Sequence, residues 1–177
     1  KKVLIADLLG EFVASMELAP RNSAFLLWMV ALAYAMQIYF DFSGYSDMAI
    51  GMGLMMGFHF PENFDYPYVS KSITEFWRRW HISLSSWFTD YVYIPLGGNR
   101  VKYRRHLLNL MITFLVSGLW HGANWTFVLW GVTHGSYMII ENVCRRYIYD
   151  FKPNTWWSKT LNMIICFALV SFAWIFF

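Results

Sequence analysis

Five histidines carry most of the chemistry open to this sequence: His59, His81, His106, His121 and His134. His121 stands in Gly118-Leu119-Trp120-His121-Gly122 and interrupts an apolar run. An ionisable group at membrane depth is costly and marks a functional site unless a partner accounts for it. Glycines on either side let another backbone or a substrate approach closely. A neutral imidazole, with an unperturbed pKa of about 6.5, can take a proton from a hydroxyl near neutral pH. A water-poor site favours that neutral form. The activated oxygen could then attack an acyl thioester without a covalent enzyme intermediate, so one histidine could suffice. The competing reading of His121 is a neutral imidazole that bonds a neighbouring helix.

His81 falls in Trp77-Arg78-Arg79-Trp80-His81-Ile82-Ser83-Leu84-Ser85. On a continuous helix it borders an aromatic face, one turn from Trp77 and Ser85. It serves either a site or a cap. His134, in Gly131-Val132-Thr133-His134-Gly135, lies inside the next apolar run and reads as a structural histidine before a functional one. His59 and His106 read as surface or interfacial. No H-E-x-x-H is present, and spacings of 40 (81 to 121) and 13 (121 to 134) leave any metal site to chance folding. Gly44-Tyr45-Ser46-Asp47-Met48 begins as a nucleophile elbow does but lacks the second glycine. No Gly-rich phosphate loop is present.

The elements that position these groups belong in a membrane. In 177 residues, hydrophobic types reach 58%, aromatics 21% and charged types only 14%. A soluble domain carries about 25% charge, so there is too little here to cover a water-facing surface. The net charge of +3 is too small and too dispersed for nucleic acid. Cys144 and Cys166 give no disulfide framework. The chain begins at Lys1 and stops inside Ala173-Trp174-Ile175-Phe176-Phe177, without a visible signal peptide. The expectation is a piece of a longer multipass protein.

Residues 1–21 are amphipathic and close at Pro20-Arg21-Asn22. Residues 23–40 form an apolar run just long enough to cross a bilayer, ended by Asp41. Residues 41–60, rich in Gly and Met, read as a separate buried or re-entrant segment. Pro61 and Pro67 make a loop. Ser72-Ile73-Thr74-Glu75 then opens a helix as a capping box. Its aromatic face runs from Ile73 to Tyr91, which suits an interfacial position. Two apolar runs, 107–123 and 124–140, meet around Trp120–Trp125, and a third spans 161–177. Basic residues gather at 71–105 and, as Arg145, Arg146 and Lys152, at 145–152. The positive-inside bias puts both groups in the cytoplasm, so that 107–123 exits and 124–140 returns. The fold expected is an all-α, integral membrane, multipass helical bundle with re-entrant or interfacial helices. Several of the ten tryptophans lie beside the histidines and could wall an acyl or sugar path, though Trp is also common at membrane interfaces.

Five motifs occur in order: Asp41-Phe42-Ser43-Gly44-Tyr45-Ser46-Asp47, Pro61-Glu62-Asn63-Phe64, Glu75-Phe76-Trp77-Arg78-Arg79-Trp80-His81, Tyr93-Ile94-Pro95-Leu96-Gly97-Gly98-Asn99-Arg100, and Gly118-Leu119-Trp120-His121-Gly122. Together they resemble the membrane-bound O-acyltransferase family, most closely its alginate O-acetyltransferase branch, with the motif-bearing core at 34–141. The resemblance implies that 1–177 is part of the family's membrane domain, in a bacterial inner membrane. It implies His121 as the catalytic residue and His81 as a second histidine that positions or polarises the substrate. Such proteins are multipass, with a tunnel reached from both sides. They pass acetyl groups from a cytoplasmic donor, such as acetyl-CoA or another acyl thioester, toward an exported polysaccharide machinery. A separate exported or periplasmic acetyltransferase completes the work. No tightly bound cofactor is implied. Trp80, Trp120, Asp41 and Asn124 are the candidate substrate contacts, although Asp41 and Asp47 could equally pack at a helix end. Arg78, Arg79 and Arg100 either meet a phosphorylated donor or mark the cytoplasmic side. The rival reading is a transporter or channel segment, in which buried histidines relay protons or bind solute.

Overall fold

The long apolar runs leave the backbone no water to bond, so helix is the expected outcome. A computed structural model describes residues 1–17, 23–148 and 155–177, and all its regular elements are helical. Pro20, Arg21, Asn22 and Lys152, on which sequence expectations rested, lie outside the described residues. The backbone divides into two compact units, Lys1–Asn63 and Phe64–Phe177.

In the first unit a π-helical turn, Lys2–Ala6, leads into α1 (Asp7–Glu17), which packs on α2 (Ala24–Met55). Helix α2 differs from the expected span plus re-entrant segment. It runs 32 residues without a break and passes straight through Asp41. Charge pairing removes the reason to stop there: Lys2 binds Asp41 and Asp7, and Lys1 Nζ lies 2.7 Å from Asp47. At Gly44 an added Cβ would come within 3.1 Å of the Lys2 nitrogen, so the small residue admits the N-terminal turn. The helix ends on Gly57 at φ +84°. There the Phe58 N–H donates to the Gly53 carbonyl at 2.8 Å and the Gly57 N–H to that of Leu54 at 3.1 Å.

The second unit carries α3 (Ile73–Arg79), α4 (Ile82–Phe88), α5 (Tyr103–His121), α6 (Trp125–Tyr147) and α7 (Trp156–Ala173). The single aromatic helix expected from 73 to 91 is instead broken at Trp80 and His81. Ser72 caps α3 as expected, accepting from the Glu75 N–H at 3.1 Å, but Glu75 reaches back to the Lys71 N–H instead of closing the box. Glu141 of α6 completes the cap, its Oε2 accepting from the N–H groups of Ile73 (2.8 Å) and Thr74 (3.2 Å). A carboxylate at a helix N-terminus satisfies orphan donors and opposes the dipole.

Helices α5 and α6 form an antiparallel hairpin held together by glycines. A Cβ on Gly131 would sit 2.5 Å from the Phe114 carbonyl oxygen, and one on Gly135 would sit 2.8 Å from Met111 Sδ. Gly118 faces the Phe127 carbonyl in the same way. Gly131 and Gly135 are a G-x-x-x-G pair, which lets helix backbones approach closely. Before the hairpin, the turn at Leu96-Gly97-Gly98 needs left-handed backbone at Gly97 (φ +102°) and Gly98 (φ +54°). Buried Asn109 pins it, donating to the carbonyls of Leu96 and Gly98 at 3.1 Å each.

Among the described residues, two helical stretches are long and apolar enough to cross a membrane: Ala24–Met55 and Trp156–Phe176. Helices α5 and α6 occupy the other two apolar runs but carry charged ends and internal histidines, and fall outside that set.

Candidate active site

His121 is the last residue of α5. Gly122 and the extended Asn124 follow, and Asn124 Oδ1 caps α6 by accepting from the Thr126 N–H at 3.2 Å. The chain therefore turns directly beside the imidazole. Four aromatic rings frame it: Trp120 at 5.0 Å between centroids, Trp130 at 5.1 Å, Phe177 at 4.9 Å and Phe127 at 6.1 Å. The first three meet it edge to face. The ring is half-buried, and among the described residues its nitrogens make no hydrogen bond. A base awaiting a hydroxyl needs that combination of a fixed plane and an unspent nitrogen.

His81 sits at the break between α3 and α4, with φ 43° and ψ 57°. Left-handed backbone at a non-glycine residue costs roughly 1–3 kcal/mol and persists where the surroundings enforce it, often at functional sites. Burial pushes its imidazole down to about 4, and a charge on nearby His121 acts in the same direction. Despite a spacing of 40 positions, His81 therefore lies within electrostatic reach of His121.

The remaining candidates fall in different places. Trp120 is exposed, packs on Phe88 and borders His121. Trp80 is 4% exposed and belongs to the core, between Phe64, Phe76 and Trp174. Asn124 is a helix cap. Asp41 lies in the first unit, paired with Lys2. Arg79 is bound by Asp65 and Glu75 at 3.2 and 3.1 Å, which ties α3 to the preceding loop.

His134 was read from sequence as structural first, and it is wholly buried. Rings from four elements surround it, with Trp77 at 4.9 Å, Trp130 at 5.0 Å, Phe114 at 6.1 Å and Trp174 at 6.2 Å. Among the described residues neither of its nitrogens has a hydrogen-bond partner, nor do the indole N–H groups of Trp77, Trp130 and Trp174. Trp130 touches both imidazoles, His121 on one side and His134 on the other. His106, expected to be surface or interfacial, is half-buried and bonded on both sides of its ring, to Tyr93 and Asn142.

The sequence matches the MBOAT, membrane-bound O-acyltransferase family over residues 5–176, and the chain belongs to that family. It is 52% identical over its whole length to the protein named "Probable alginate O-acetylase AlgI" of Azotobacter vinelandii, covering 34% of that relative. It is 46% identical over its whole length to the peptidoglycan O-acetyltransferase of Helicobacter pylori, covering 33% of it. The teichoic acid D-alanyltransferase of Bacillus subtilis is 35% identical over 86% of this chain, which covers 40% of that protein. The chain spans about a third of the length of the first two relatives.

Proposed function

We propose that this chain is the histidine-bearing part of a multipass membrane O-acyltransferase in a bacterial inner membrane. It moves an acetyl group from a cytoplasmic acyl thioester, such as acetyl-CoA, toward hydroxyls of an exported polysaccharide such as alginate. The carrying observation is the placement of His121: half-buried, fixed by four rings, its nitrogens making no hydrogen bond among the described residues, with His81 within electrostatic reach. Its likeness to relatives named for O-acetyl transfer supports the acetyl group.

In the proposed step a ring nitrogen of His121 takes the proton of an acceptor hydroxyl. The oxygen attacks the thioester carbonyl, a C–O bond forms and the C–S bond breaks. The imidazolium then returns its proton to the departing thiolate. His81 positions or polarises the reacting groups. Trp120 flanks the approach. The basic residues at the N-terminal end of α5 and the C-terminal end of α6 support a cytoplasmic position for that end of the hairpin. A periplasmic acetyltransferase would receive the group on the far side.

The test is His121→Ala in the full-length protein, with acetyl content of the exported polysaccharide measured alongside membrane abundance. Loss of a general base costs about 10²- to 10⁴-fold, so acetylation should fall below detection at normal abundance. Unchanged acetylation at normal abundance would refute the proposal.

A further inference from the structure

A cleft of about 650 Å³ opens where the start of α5 meets the end of α6, at the basic end of the hairpin. Its walls include Asn99, Tyr103, His106, Asn142, Arg145 and Arg146, and no carboxylate lines it among the described residues. Two of these side chains, His106 and Asn142, are already locked. The Tyr93 hydroxyl lies 2.8 Å from His106 Nδ1, and burial holds that phenol above its ordinary pKa. His106 Nε2 lies 3.5 Å from Asn142 Oδ1, while Asn142 Nδ2 donates to the Met138 carbonyl at 2.9 Å. One wall is therefore rigid before any ligand arrives.

The two arginines differ. Arg145 is matched by Glu141 at 2.7 Å and reaches Ser72 at 3.3 Å. Arg146 has no carboxylate partner among the described residues, and its guanidinium carbon lies 4.1 Å from the centre of the Tyr103 ring. Stacking occupies the face of a guanidinium and leaves its in-plane N–H fork free to meet two oxygens of one anion. The adjoining cleft shows the contrast: there Arg79 is consumed by Asp65 and Glu75.

We propose that the cleft is a phosphate-binding site, with Arg146 as its charged donor and Tyr103 as the platform that aims it. A phosphate monoester or diester fits this chemistry whether it belongs to a soluble ligand or to an anionic lipid headgroup. If it belongs to the acyl donor, which rests on the acyl-transfer reading above, the donor's shape is constrained. At ~1.5 Å per residue, the helical path from His106 to His121 is about 22 Å. The phosphate and the acyl carbon would then have to be joined by a long flexible arm.

The experiment uses the full-length protein in phosphatidylcholine nanodiscs, with binding of inorganic phosphate and of coenzyme A measured calorimetrically. Phosphatidylglycerol is added to a parallel set, and its effect on Tm is read. Arg146→Gln should weaken binding, or reduce the lipid-induced Tm shift, at least tenfold in apparent affinity, because a charge-assisted fork is lost. Arg104→Gln, an exposed charge on the same helix end outside the cleft, should change it less than twofold. Tyr103→Leu should weaken binding in the same direction, which keeps the test open if Arg146→Gln misfolds. Saturable binding of the soluble probes assigns a soluble source; a response to phosphatidylglycerol alone assigns a headgroup. No response to either, or equal losses in Arg146→Gln and Arg104→Gln, would overturn the proposal. His121→Ala should bind normally, so failure of this site and failure of the catalytic reading are read separately.

Discussion

Replacing Gly131 by alanine tests how the hairpin sets the site. The new Cβ would lie 2.5 Å from the Phe114 carbonyl oxygen, and also 3.4 Å from Leu115 Cα. These are backbone atoms of the facing helix, so no side chain can swing aside. A carbon and a carbonyl oxygen settle at about 3.3 Å or more, so α5 and α6 must separate by about 0.8 Å. Overpacking of this size costs about 1–3 kcal/mol, against which alanine recovers about 1 kcal/mol of helix propensity. The net loss of stability is roughly 0–2 kcal/mol, and the protein should still fold. Activity is affected far more. His121 ends α5, whereas Trp130, which holds it at 5.1 Å, precedes Gly131 on α6. The displacement therefore falls between the base and its frame, and a misplacement near 1 Å can cost about 100-fold. The assay is acetyl transfer by the full-length protein, normalised to folded protein and set beside Tm. Gly51→Ala is the control: among the described residues nothing lies within 4 Å of its added Cβ, so it should leave transfer unchanged while Tm holds or rises slightly from the gain in helix propensity. Wild-type transfer by Gly131→Ala would refute the reasoning, because the close approach would then not be what holds His121.

Two further outcomes follow from the histidines. Burial holds folded His81 near 4, below its unfolded value of about 6.5. Between those values the unfolded chain binds the proton first, so stability contributed here is present above pH 6.5 and falls as pH drops toward 4. His81→Asn, which tolerates left-handed backbone and does not titrate, should flatten the decline in Tm between pH 7 and pH 5; parallel profiles would contradict this. His134 has two unpartnered ring nitrogens in an apolar cage. His134→Leu removes a desolvation penalty of about 1–3 kcal/mol, so Tm should hold or rise, and a clear fall in thermal unfolding would show that the imidazole is satisfied after all.

What could be read in advance follows the range of each interaction. That two helices meet around Trp120–Trp125 was legible from the two apolar runs, whereas the stop at His121 falls two residues earlier than the runs suggested and Asn124, expected as a substrate contact, caps α6. The continuity of α2 was not legible, because Asp41 and Asp47 are neutralised by Lys2 and Lys1, some forty residues away in sequence. The break at His81 was hidden for another reason. Trp77, Trp80, Leu84 and Trp87 keep steps of three and four across it, and one left-handed residue does not disturb a periodicity count. Asn109 gave no motif signal because its partners are backbone carbonyls of Leu96 and Gly98. The cage around His134 draws Trp77, Phe114, Trp130 and Trp174 from four helical elements, and such convergence is a property of packing alone. That contrast bears on the chemistry. The local signal, a histidine flanked by glycines, pointed to the group proposed to accept a proton. The long-range packing supplied what makes it useful: a rigid aromatic frame, a second imidazole within electrostatic reach, and a hairpin whose glycines leave no slack between them.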